Sequence, residues 1–479
     1  MRTPSRGFFW AATPAVFAIF FFLGAMLTRL ACVAAEPATD QPTVLLDAET
    51  VHRMVRQLAA GSLVARDAAE QGLLACGPTI LPLLAAAEPS AAAEAVFRLH
   101  GIKRQLEEQA AVAAVEPATI TLALQSASAR DVLERVFNQS GSRIALDASV
   151  ANGSVGERLI TVDFNRSTFW EAIEEVLEKS GLQISFAEIG AGLSIGPASD
   201  LASDRALNRV VAAGPLRLAI ARVEPTGSAS AAQPTGARIV LRISWEPRLE
   251  PLLIRLPIVS VVAEGSFGEA MPPQQRTAVV EAMIPKQRKW VDLPLMLTQP
   301  ASRLESLGLL RGTVELLLTG REHVFVFDRL TTVEDAPNRI SPETPRRLSA
   351  GRVGVSISQF AVRGDRLHAT ASVAYDAPKE ALASHRMWLT ERPLNLLDAN
   401  GRAVTRLEQF VLSRSEQGLT TSATFSLQGV GDEPASLPQG LRLEWNIPVA
   451  IHEVPVDFSI RNIALPNAVR PLPAENLRP

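Results

Sequence analysis

Ile120-Thr-Leu-Ala-Leu124, a helical pattern over Ser128–Gln139, Ser140-Gly141 and Arg143-Ile-Ala-Leu146 form one unit, which returns forty positions later without a gap. The second copy reads Ile160-Thr-Val-Asp-Phe164, Thr168–Lys179, Ser180-Gly181 and Gln183-Ile-Ser-Phe186. Seven pairs are identical in register: Ile120/Ile160, Thr121/Thr161, Glu134/Glu174, Val136/Val176, Ser140/Ser180, Gly141/Gly181 and Ile144/Ile184. The outer segments alternate apolar and polar residues, the period of a strand with one buried face. Between them, Val132, Leu133, Val136 and Phe137 fall on one helical stripe, as do Phe169, Ile173, Val176 and Leu177. Ser128-x-x-Asp131 and Thr168-x-x-Glu171 have the spacing of capping boxes, and Gly141 and Gly181 stand where a left-handed residue ends a helix. Each half is therefore strand–helix–strand. Together they predict a β-α-β-β-α-β unit with both helices on one sheet face.

Residues 117–197 resemble the short N-terminal domain of secretins and TonB-dependent receptors. The resemblance is carried by Ile120-Thr-Leu-Ala-Leu, Ala129-Arg-Asp-Val-Leu, Ser140-Gly-Ser-Arg-Ile-Ala-Leu-Asp, Ile160-Thr-Val-Asp-Phe and Glu171-Ala-Ile-Glu-Glu-Val-Leu. It implies a periplasmic domain that makes protein–protein contacts, in rings or with signalling partners. A secretin or receptor continues into a membrane β-barrel with aromatic girdles. This chain has one tyrosine and 5% aromatic residues, so no channel or receptor activity is carried over.

Before the repeat, residues 46–110 are alanine-rich with helical spacing at Val51, Val55 and Leu58 and again at Ala91, Ala95, Leu99 and Ile102. Gly77-Pro78 ends one helix and starts the next. Arg66-Asp-Ala-Ala-Glu70, Gly77-Pro78 and Leu81-Pro-Leu-Leu84 resemble a HEAT-type helical hairpin. One and a half such repeats are too few for a free solenoid, which implies packing on the next domain or on a partner. Ala110–Pro117 and Leu201–Ala213 read as linkers.

Beyond Ala213 the helical period gives way to short alternating segments separated by Pro225-Thr-Gly, Pro234-Thr-Gly, Gly265-Ser-Phe-Gly and Met271-Pro-Pro. They predict a β-sandwich over 214–335, with Thr313–Leu318 and His323–Leu330 as separate strands. A linker at Ile340–Arg352 precedes a second sandwich over 352–465, with Arg386–Leu394, Leu441–Ile447 and Val456–Ile460 among its strands. Asp398-Ala-Asn-Gly401 is a turn signal. Residues 466–479 read as a disordered tail. The fold class is multidomain α+β: helical hairpins, the repeat unit, then two sandwich-like domains.

The first 35 residues read as an export signal. Arg2 and Arg6 precede an uncharged run from Gly7 to Thr28, and Val33-Ala34-Ala35 fits a cleavage site before Glu36. The rival is an uncleaved anchor, because residues 7–28 are long enough to cross a bilayer. Cys32 invites a lipoprotein reading, but Arg29 stands where a lipobox carries leucine. The expected location is periplasmic or secreted, or anchored in the inner membrane if the run stays, with membrane contact only through 7–28.

The full chain of 479 residues has a formal charge of −3, and the first 35 residues remove three arginines and no acid. Nucleic acid is not an expected partner. After cleavage Cys76 would be alone, which excludes an intrachain disulfide; it reads as a small packed residue. His52, His100, His323, His368, His385 and His452 lack metal-ligand spacing, and no P-loop, GxSxG or helix-opening GxGxxG occurs. Asp398 and Asn400 lack the further ligands of a calcium loop. No catalytic, cofactor or metal residue is therefore expected. Trp245, Trp290, Trp388 and Trp445 fall in or beside strands and read as core residues. Glu134, Glu174, Glu175 and Glu178 read as solvated helix faces.

The function expected is an exported envelope scaffold that binds envelope or periplasmic proteins and is not an enzyme. A carbohydrate- or matrix-binding protein is the alternative, and requires exposed strand tryptophans. A hydrolase is the second alternative, and requires two carboxylates facing across a cleft.

Overall fold

The computed structural model describes residues 48–86, 92–186, 192–198, 210–226, 236–284, 288–298, 306–328, 330, 332–333, 336–340, 347–376, 389–390, 392–428 and 440–464. The signal segment with its Ala35/Glu36 site, the run 7–28, His385, Trp388 and the tail lie outside the described residues. Among those described, no helix is long and apolar enough to cross a membrane.

The chain is a multidomain α+β protein, helical at first and β-rich after residue 210. The alanine-rich segment forms α1 (Ala48–Gln57), α2 (Leu63–Ala75), α3 (Leu81–Ala86) and α4 (Ala93–Val115). Gly77, at φ 71°, breaks the chain before a one-turn 3-10 segment opened by Pro78. Val51, Leu73, Leu99, Ile102 and Leu106 share the core of this bundle. Arg98 of α4 bonds Asp67 at 2.9 Å and Glu70 at 2.7 Å, so the acids of the Arg66–Glu70 motif tie α2 to α4. Residues 110–115, expected as linker, are helix. Alanine is the best helix former, and Ala111 and Val115, four apart, continue the buried stripe until Pro117 disfavours helix at Glu116.

The repeat folds as β1 (Thr119–Ser128), α5 (Ala129–Ser140), β2 (Ala145–Leu146), α6 (Ala148–Ala151), β3 (Leu159–Thr168), α7 (Phe169–Ser180), β4 (Leu182–Phe186) and β5 (Leu193–Pro197). A single sheet was expected; two form. β1 and β3 pair antiparallel, while β5 inserts between β2 and β4 and takes the backbone partners they would offer each other. Of the two expected capping boxes only the second is complete; the first has the serine half alone. Ser128 Oγ accepts the Asp131 amide, Thr168 and Glu171 make a full capping box, and Gly141 and Gly181 are left-handed at φ 67° and 69°.

The sequence repeat is also a structural one. The amide of Ser126 donates to Thr161 Oγ1 at 3.2 Å, and forty residues on, that of Arg166 donates to Thr121 Oγ1 at 3.3 Å. Ser126 and Arg166 both have positive φ, at matching irregularities of the β1–β3 ladder. The first helical amides are likewise exchanged, Ala129 to Arg158 O and Phe169 to Ala118 O. The identical Thr121/Thr161 pair thus serves reciprocal bulges.

The β-rich part begins with β6 (Val210–Ala213), β7 (Leu216–Thr226), β8 (Gly236–Trp245), β9 (Pro251–Pro257), β10 (Val262–Gly265), β11 (Val279–Met283) and β12 (Trp290–Thr298). A 22-residue strand follows, β13 (Ser306–Phe327), then β14 (Thr332–Val333), β15 (Ala336–Ile340), β16 (Arg347–Ala350), β17 (Val353–Arg363) and β18 (Arg366–Tyr375). The last strands are β19 (Leu394–Leu397), β20 (Arg406–Arg414), β21 (Gly418–Ser426) and the 23-residue β22 (Arg442–Ala464). One sheet runs β12-β8-β7-β6, a second β11-β9-β13-β22-β19 with β10 also on β13, and a third β16-β17-β18-β21-β20.

The second sheet is common to two cores. Ile239, Leu241 and Leu293 of the first sheet pack with Leu316 and Leu318 of β13 and with Phe458 and Ile460 of β22. Val355, Ala371 and Phe425 of the third pack with Leu317 and Phe325 of β13 and with Leu443 and Trp445 of β22. Leu316 and Leu318 therefore face one core and Leu317 the other. The expected cut near 336–351 does not separate the cores, because β22 closes the first from the far end of the chain. Two expected strand pairs are single strands. Gly320 marks a bulge rather than a turn, and Pro448 and Pro455 are tolerated because β19 covers only Arg442–Trp445, and among the described residues no strand pairs with the same edge of β22 beyond Trp445. The expected linkers also contain strand, β6 in one and β16 in the other. In the expected strand 386–394, residues 389–390 are a turn, and β19 starts only at Leu394.

Candidate functional site

Helix α7 lies over the outer face of the β12-β8-β7-β6 sheet. The repeat unit covers polar and small apolar side chains of that face. Trp170 is buried there and donates Nε1–H to Pro215 O at 3.1 Å. Arg217 is 7% exposed and donates to Glu174 Oε1 at 2.5 Å. Arg242 makes two 2.8 Å bonds to Asp292. Its guanidinium sits 4.6 Å from the Phe186 ring centre and 4.3 Å from that of Trp290, and Arg288 follows 4.6 Å from Trp290 on the same tryptophan. Arg242 is partly exposed, so the stack adds a modest cation–aromatic attraction between β4 and the sheet.

A second tie lies at the end of β8. Glu246 is buried and accepts the Ala118 amide at 3.0 Å and Arg248 Nε–H at 2.8 Å. Arg248 also reaches Ala114 O at 2.8 Å and Glu116 O, and its amide donates to Ser142 Oγ at 3.3 Å. One four-residue turn thus holds the end of α4, the start of β1 and the loop after α5. Burial pushes the Glu246 carboxyl above its ordinary range, against the pull of Arg248 and the Ala118 amide.

Beside the first tie an open cleft of about 1130 Å³ remains. Glu171, Glu174, Glu175 and Glu178 form a row along its α7 wall; Val210, Ala212, Ala219 and Ala221 line the other side, with Phe186, Arg217 and Arg242. Lys179 neutralises Glu175 at 2.7 Å and Arg217 takes Glu174. Glu171 and Glu178 have no cationic partner among the described residues. A smaller cleft of about 680 Å³, between α4 and the β13–β22 pair, holds Arg104, Arg321, Arg352 and His452, with Arg321 paired to Glu107 at 2.5 Å.

The histidines are dispersed. His52 is half-buried, His100 exposed, and His368 bonds Thr424 Oγ1 at 3.0 Å. Burial lowers the His323 pKa, with Arg321 adding to the effect. No group of three metal-ligating side chains occurs among the described residues. Asp398 Oδ1 accepts the amides of Asn400 and Arg402, both at 2.8 Å, the bonding of a turn. Cys76 Sγ donates to Gly72 O at 3.0 Å, and burial raises its pKa. Trp245 and Trp445 are buried in the cores of the β-rich part, and Trp290 is buried on its outer face beneath the repeat unit.

Glu174 is half-buried and paired with Arg217, and Glu246, Arg248, Arg217 and Arg242 carry the junction although their spacing announces nothing. The one usable signal was Trp245-Glu-Pro-Arg248, two opposite charges around a proline at a strand end.

The chain matches no known protein-family model and no curated protein. A solved structure described as the conserved domain protein from Bacillus anthracis aligns with 53% of this chain and 90% of its own, at 9% identity and a TM-score of 0.15. A likeness at that level carries no argument about fold or function.

Proposed function

We propose that the protein is an exported envelope scaffold that binds other envelope proteins and has no enzymatic activity of its own. The observation that carries this reading is the junction. Helical segment, repeat unit and β-rich part are cross-tied at one seam by Trp170, Arg217, Arg242, Glu246 and Arg248. Such ties suit a body that presents surfaces at fixed spacing. The resemblance of 117–197 to a periplasmic interaction domain and the signal-like residues 1–35 supply the compartment. In the finer architecture we infer, 46–110 is a HEAT-like hairpin and the two cores are sandwich-like.

The other readings have less support. A carbohydrate platform needs exposed tryptophans, and Trp245, Trp290 and Trp445 are buried. A glycosidase needs a carboxylate opposite the α7 row, where the cleft presents Arg217 and Arg242.

The test is crosslinking in intact cells of the full chain tagged after Pro479, with mass spectrometry of the products and fractionation of the cells. The expected outcome is an exported protein crosslinked to one or a few envelope proteins. Recovery in the cytoplasm, or no crosslinked protein, removes the proposal.

A further inference from the structure

We propose that the cleft between α7 and β6 receives an extended segment of a partner protein in which apolar residues alternate with lysine or arginine. This rests on the interaction-protein reading and names the partner's chemistry.

The size of the cleft favours a peptide. Small-molecule sites span roughly 300–1,000 Å³, and this cleft is about 1130 Å³. Its two sides differ. Val210, Ala212, Ala219 and Ala221 offer a shallow apolar surface without side chains large enough to fill the space. The α7 wall carries four carboxylates, of which Arg217 and Lys179 neutralise two. The remaining charge of Glu171 and Glu178 suits a cationic occupant, and acidic segments are repelled. An extended segment lying between the two sides alternates its side chains, so one set meets the apolar side and the other the carboxylates.

The experiment measures fluorescence anisotropy of the full chain with three labelled peptides of about ten residues. One alternates valine and lysine, one alternates valine and glutamate, and one carries the same valines and lysines in two blocks, so that they no longer alternate. The protein is compared with an E171Q/E178Q variant. Glutamine at position 171 keeps the capping box, so α7 is retained, and circular dichroism checks this. The alternating lysine peptide is expected to bind, the glutamate peptide not to bind, and the block peptide to bind more weakly than the alternating one. The variant should bind the lysine peptide about tenfold more weakly, the scale of losing close charge pairs. The proposal is overturned if the lysine peptide does not bind, if both charged peptides bind alike, or if the variant binds unchanged. It is also overturned if sedimentation shows that a second copy of the chain fills the cleft and the variant dissociates it. Crosslinking the same variant in cells separates the two levels. A partner retained by the variant leaves the scaffold reading standing and removes the cleft; no partner for the unaltered chain removes the reading itself.

Discussion

Glu246 concentrates the polar contacts of the junction in one buried carboxylate. It bonds the Ala118 amide and Arg248, whose guanidinium reaches two carbonyls at the end of α4. Glu246→Ala strands these donors, and breaking a buried pair costs about 3 kcal/mol. Glu246→Gln keeps an acceptor for Ala118 and should cost clearly less; urea unfolding of both variants checks the order. The pH dependence has a definite sign. The folded carboxyl titrates above its unfolded value, so the folded chain binds this proton more tightly. Its contribution to stability is greatest below the unfolded pKa and is lost as pH rises through the folded one. Urea midpoints between about pH 4 and pH 8 should therefore show a downward component in the unaltered chain that Glu246→Gln removes.

Helix α4 and strand β13 meet where β13 has no side chain. A methyl group at Gly320 would stand 2.6 Å from Ala111 O and 2.8 Å from His452 Cδ2. Gly320→Ala must push α4 off the strand, straining the Arg321–Glu107 pair, at a cost of about 1–3 kcal/mol. The expected signature is faster hydrogen exchange over residues 103–115 with the β-rich part unchanged; uniform protection would show that the helix accommodates the methyl. In the repeat unit the same logic applies to one hydroxyl. Thr161→Val removes the acceptor of the Ser126 amide, and because Thr161 is exposed, water compensates and the loss should stay near or below about 1 kcal/mol. A thermal melt of the variant measures it.

Across the whole molecule, β13 and β22 pair from Ser306/Ala464 to Phe327/Leu443, a ribbon of about 70 Å at roughly 3.3 Å per residue. Residues 48–335 alone would lack Phe458, Ile460 and Ile463 from their core, and 347–464 alone would lack Phe325 and Phe327. Neither fragment is expected to fold separately, and mixing the two should restore cooperative unfolding; a folded, monomeric 48–335 fragment would contradict the shared ribbon. Deleting 117–197 should likewise uncover Trp290, Arg217 and Ala219 and lower the melting temperature, so it is a poor control for partner binding.

The sequence by itself determined the local structure. The forty-residue repeat, its caps and its two left-handed glycines were legible because 3.6- and 2-residue periods and capping need only neighbouring residues. The turn at Asp398 and the burial of Trp245 and Trp445 were legible from strand pattern, whereas Trp290 is buried only because the repeat unit covers it. Only the tertiary structure decided which polar faces are covered. Alternation tells that Arg217 and Arg242 point away from their own core, but not that α7 and Phe186 wait there. Nor does it tell that Gly320, Pro448 and Pro455, all local breakers, lie within strands that a partner more than a hundred residues away holds extended. Those outcomes depend on contacts between distant segments, and no local period encodes which distant segment arrives.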